Sequence, residues 1–103
     1  MARTNSLITI TSRNRSYNGT LTSGASNNYY AWIEEHIDKE RISALYGGAV
    51  ELIEHAKGMG IIFEDVDLRN CTMTYGNNVY EVLKFARFMD YRGNVRQVEF
   101  IYG

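Results

Sequence analysis

A chain of 103 residues that is 45% apolar, with no proline, is long enough to enclose one core and too apolar to be disordered. Its single cysteine, Cys71, excludes an internal disulfide and a thiolate zinc site, and a net charge of −1 excludes a strong global field of either sign. No run approaches the ~20 apolar residues of a membrane span, and the first ten residues carry no signal-like apolar stretch, which points to a cytoplasmic protein that does not engage a membrane.

Taken in chain order, Leu7-Ile8-Thr9-Ile10-Thr11 is β-branched and predicts a strand. Asn18-Gly19 signals a hairpin, because a type I′ turn needs positive φ at both central positions. The arms then run near residues 6–17 and 20–23. Strand alternation puts Arg13, Arg15 and Tyr17 on one face near the tip.

Ser26 or Asn27 suits a helix N-cap, and Tyr29, Ile33 and Ile37 follow at i, i+4 and i+8, with Trp32 and His36 alongside. Helical spacing resumes at Ile42, Leu45, Tyr46, Ala49, Ile53 and Ala56. Gly47-Gly48 interrupts it at a cost of about 2 kcal/mol against alanine, which favours two helices over one. Gly58 and Gly60 end that stretch. Ile61-Ile62-Phe63 opens a strand that continues, bent, through Glu64, Val66 and Leu68 into Cys71, Met73 and Tyr75. Asn77 would cap another helix, with Val79, Val82, Leu83, Ala86 and Met89 as its core face and Phe85 and Phe88 widening it. Val95 to Tyr102 reads as a last strand.

The order β-β-α-(α)-β-α-β within one domain, residues 1–103, predicts an α+β fold. Its form would be a small, mostly antiparallel sheet of about four strands with two or three helices on one face.

Charge is unevenly spread. Residues 1–33 hold Arg3, Arg13 and Arg15 and no acid. Residues 34–67 hold nine acids, among them Glu34, Glu35, Asp38, Glu54, Asp65 and Asp67, against Lys39, Arg41 and Lys57, a local charge of −6.

No catalytic constellation emerges. Cys71 sits mid-strand with no base beside it, and His36 and His55 lack the partners of standard motifs. Lys57-Gly58-Met59-Gly60 has phosphate-loop flexibility but follows a helix and precedes a strand, the reverse of the phosphate-binding context. No cofactor motif is present. Asp65 and Asp67 on one strand face, with Glu54, would make a small metal-dependent hydrolase if the three converged.

The leading expectation is a non-enzymatic binding protein that docks on a protein or nucleoprotein partner, in the manner of phage or mobile-element inhibitors and adaptors. The acidic centre (Glu34, Glu35, Asp38) would meet a basic surface, with Tyr29, Tyr30, other tyrosines and Trp32 as anchors. A second expectation is direct nucleic-acid binding through the acid-free hairpin with Arg13, Arg15 and Tyr17. A tyrosine-rich face or a free strand edge would also serve to pair two copies.

Overall fold

Alternation, rather than helical spacing, governs the folded chain. The computed structural model describes residues 4–15, 21–36, 40 and 54–103. Six strands account for most of them: β1 (Ser6–Arg15), β2 (Leu21–Glu34), β3 (Gly58–Ile62), β4 (Cys71–Tyr75), β5 (Asn78–Met89) and β6 (Val95–Tyr102). They close into a barrel in the order β1-β2-β3-β6-β5-β4, with every neighbouring pair antiparallel. Lying β4 beside β1 after the β1-β2-β3 meander is the Greek-key arrangement.

This overturns the α+β expectation. The helix expected from Ser26 or Asn27 to Ile37 is the second half of β2. Tyr29, Ala31 and Ile33 turn toward the core, while Tyr30 and Trp32 face out. A four-residue spacing is even, so Tyr29 and Ile33 satisfy a strand's period of two as readily as a helical turn. The helix expected after Asn77 is β5. Its inward residues are Tyr80, Val82 and Phe85. The register slips between Val82 and Lys84, where one extra β5 residue faces β6. That bulge turns a spacing of two into three and so imitates a helix face. The helices expected over Ile42–Ala56 fall mainly on residues outside the described ones; helical backbone among the described residues occurs only at Glu40, Glu54 and His55.

The first hairpin forms as expected, though its second arm runs on to Glu34. Its tip, with Tyr17 and Asn18-Gly19, lies outside the described residues. The long bent strand through Glu64 to Cys71 is instead two strands, β3 and β4, on opposite sides of the ring. The segment between them crosses one end of the barrel and carries Val66 and Leu68 into the core. Asn70 ends it at φ 54°, a left-handed conformation that asparagine tolerates better than most residues. Gly76-Asn77 is not a cap but the tight turn between β4 and β5, with Gly76 at φ 62° as the first central position of a type II′ turn requires.

The core stacks Ile8, Ile10, Ala31, Ile33, Ile62, Met73, Val98 and Phe100 inside the ring. Each large side chain buried here contributes about 1.5–3 kcal/mol. Gly60 faces Phe100 across the β3–β6 ladder, and a Cβ on Gly60 would strike the Phe100 ring and Ile33. Gly58 stands in the same relation to the Tyr102 hydroxyl and the Glu34 carbonyl. On the other face of these strands, the paired Met59 and Ile101 are buried as well, so β6 is covered on both sides.

Candidate functional site

The barrel has two unlike ends. One, the mouth, gathers Asn5 before β1, the end of β2, the start of β3, the β4–β5 turn and the end of β6. The other holds the crossing segment 63–70 and the β5–β6 turn.

At the mouth, Asn5, Trp32, Ile33, Glu34, Glu35, His36 and Tyr75 line an open cleft of about 490 Å³. Each wall is fixed by a hydrogen bond that sequence reading does not reveal. The Asn5 amide donates to the Ile33 carbonyl (3.0 Å) and accepts from the Ile33 N–H (2.9 Å), copying a strand partner where β1 stops. The Trp32 indole N–H donates to Glu34 Oε1 (3.0 Å). The Tyr75 hydroxyl donates to Glu35 Oε1 (3.0 Å), tying the end of β4 to the chain beyond β2. Beside the cleft, Tyr80 packs against Tyr102 with ring centroids 4.9 Å apart, and the Lys57 ammonium lies 5.7 Å from the Tyr80 ring. Burial pushes the Tyr102 hydroxyl up to about 12, with the Glu35 charge and the neighbouring Tyr80 and Tyr75 adding to it. The Tyr102 phenol is therefore neutral at neutral pH.

The outer wall continues from the cleft. Leu7 and Tyr30 face each other across β1 and β2, and Trp32 follows Tyr30 on the same side of β2. They are 55%, 66% and 39% exposed, an apolar patch running into the cleft.

The structure therefore brings Tyr30, Trp32, Glu34 and Glu35 together, from one alternating strand and its exit. Tyr29 turns inward and packs on the core. Asp38 and Tyr17 lie outside the described residues, as does the side chain of Arg15. Asn5, Tyr75, Tyr80 and Lys57 join the site only through strand pairing, and nothing local in the sequence marks them.

The opposite end carries a smaller groove of about 320 Å³, with Arg13, Arg69, Asn70 and Lys84 among its lining. Its arginines are matched by acids. Arg13 meets Glu81 at 3.2 Å, and Arg69 grips both oxygens of Asp67, the shortest contact being 2.6 Å. Arg69 holds the Asp67 carboxyl down at about 2. Asp65 lies 3.7 Å from Arg87. Asp65 and Asp67 sit in the crossing segment rather than on a strand, and no group of three His, Cys, Asp or Glu residues placed to hold a metal ion occurs among the described residues, so Glu54, Asp65 and Asp67 do not form one. Cys71 is buried, its thiol directed at the carbonyls of Arg69 and Asp67, and burial raises its pKa, the opposite of an activated thiol.

The chain matches no known protein family, no curated protein and no solved structure.

Proposed function

We propose that this protein is a binding module that docks on a protein or nucleoprotein partner through the mouth of the barrel. The observation that carries this reading is the continuity of an exposed Leu7–Tyr30–Trp32 patch with a cleft edged by Glu34 and Glu35. Interfaces favour aromatic anchors surrounded by polar groups that set orientation, and aromatic residues supply much contact area for little rotamer entropy. The acidic rim gives the partner a basic complement. Direct nucleic-acid binding through the β1–β2 hairpin is less favoured, because Arg13 is already matched to Glu81. Phosphate would have to displace that carboxylate.

The test is recovery of a partner from a lysate of the native host. The intact chain is compared with Tyr30→Ala/Trp32→Ala, and with Tyr91→Ala, which removes an even more exposed aromatic at the opposite end. The reading expects one specific band that the double variant loses by tenfold or more and Tyr91→Ala retains. A band held equally by all three places the docking surface elsewhere.

A further inference from the structure

We propose that the mouth cleft is a receptor for an arginine side chain carried on a peptide segment of the partner. This rests on the docking reading above and adds the chemistry that the cleft selects.

Among the described residues the lining has two carboxylates, one indole, one phenol, one imidazole and one amide, and no lysine or arginine. Its amide is committed to the Ile33 backbone on both sides. Among the described residues, no cation pairs with Glu35. Its partner is the Tyr75 hydroxyl, a neutral donor that orients the carboxylate without cancelling its charge. A carboxylate offers about four lone-pair positions, and Tyr75 occupies one. The guest that fits is cationic, rich in N–H donors and flat enough to lie against aromatic faces.

Guanidinium meets all three conditions. Its planar fork bonds a carboxylate with two parallel N–H groups, and its face stacks on Trp or Tyr. An ammonium would supply charge without the fork or the flat face. The cleft, about 490 Å³, exceeds what one side chain needs and leaves room for the flanking backbone. A second feature points the same way. The Tyr102 hydroxyl, on a residue only 2% exposed, makes no hydrogen bond among the described residues, yet it stands near the Glu34 carbonyl and feels the Glu35 charge. Left unsatisfied among the described residues, that hydroxyl stands beside the mouth as an acceptor for a guest N–H. Because Asn5, Trp32 and Tyr75 already hold the walls, little ordering is needed on binding.

Trp32 is the single tryptophan of the chain, so its indole N–H resonance reports on this cleft alone. The ¹⁵N-labelled full chain is titrated with acetyl-Gly-Arg-Gly-amide, and with the lysine and citrulline counterparts, into the millimolar range. The expected result is a saturable movement of the Trp32 indole resonance with arginine, several-fold weaker binding with lysine, and no response to citrulline, which keeps the shape and loses the charge. Glu35→Gln should weaken arginine binding about tenfold or more, the loss of a charge-assisted hydrogen bond. Its fold is checked by unchanged resonances elsewhere. Arg13→Ala, at the opposite end, should bind as the intact chain does. An equal response to citrulline, or undiminished binding by Glu35→Gln, would overturn the proposal. If arginine fails while Tyr30→Ala/Trp32→Ala still loses the partner, the arginine receptor falls and the docking reading stands. If arginine binds as expected while the double variant keeps its partner, the receptor stands and the docking reading falls.

Discussion

The two ends of the barrel handle charge in opposite ways. Around the crossing segment and the β5–β6 turn, Arg69, Arg87 and Arg96 sit 2.6, 3.7 and 2.9 Å from Asp67, Asp65 and Asp90. Each of these three carboxylates has a cationic partner of its own. At the mouth, Glu34 and Glu35 accept hydrogen bonds from an indole and a phenol. Both arrangements orient a carboxylate, but the arginines neutralise theirs, whereas among the described residues Glu35 is held by the neutral Tyr75 hydroxyl. A carboxylate held by arginine is closed to a further cation, whereas one held by tyrosine stays negative and remains able to take one. This makes the mouth the end at which to look for a partner, although the other end has more charged residues.

The comparison also assigns structural work to the far end, and the largest expected effect tests that. Leu68 is 1% exposed and reaches the core from the crossing segment. Leu68→Ala should lower stability by about 2–5 kcal/mol in urea unfolding, through lost burial and the cavity it leaves. Glu64→Ala, exposed on the same segment, should stay within about 0.5 kcal/mol. Equal effects would mean that the segment does not plug the barrel.

At the mouth, Asn5→Ala removes both hydrogen bonds to Ile33 and should cost about 1–3 kcal/mol. Amide exchange at Ile33 should quicken more than exchange at Met73, which sits in the core. If the two change in proportion, Asn5 supports the whole fold and not the cleft wall in particular.

Tyr102 sharpens the contrast at high pH. Its folded pKa of about 12 lies above the usual 10, so the unfolded chain loses this proton first. The contribution is complete below pH 10 and is lost as pH rises from 10 to 12. Tyr102→Phe should flatten the fall in stability across that window, measured by denaturant unfolding at stepped pH. An unchanged slope would show that other groups govern it.

These tests bear on features the sequence reveals unequally. The first hairpin's arms and the last strand are legible, because β-branched runs act locally, while the Asn18-Gly19 turn signal falls outside the described residues. The α+β class is wrong for two particular reasons. Tyr29 and Ile33 are four residues apart, a spacing shared by both periods, and the β5 bulge spaces Val82 and Phe85 like a helical turn. The β-branched and aromatic content of β5 argued for a strand throughout, since Val79, Tyr80, Val82, Phe85 and Phe88 all favour one. In the site, Tyr30, Trp32, Glu34 and Glu35 come from one contiguous stretch and can be picked out by composition. Asn5 and Tyr75 cannot, because they meet that stretch only across 28 and 40 residues of sequence.

The smallest effect probes the far end's own electrostatics. Arg69 donates to Asp67 through its backbone N–H and its guanidinium, and the side-chain bond is the main reason that the carboxyl titrates near 2. The folded pKa lies below the unfolded value of about 3.9, so any stability from this pair is present above pH 4 and is lost as pH falls toward 2. Both groups are exposed, and salt screens them, so the change in unfolding free energy should be slight. The carboxyl chemical shift is the more sensitive reading. Arg69→Gln should move the Asp67 midpoint back toward the ordinary aspartate range, leaving the backbone bond and the more distant Arg87 charge to hold it down. The Trp32 indole resonance should not move, because no ion pair among the described residues joins the two ends. A displaced indole would mean that charge at one end is felt at the other, and the separation drawn between them would fail.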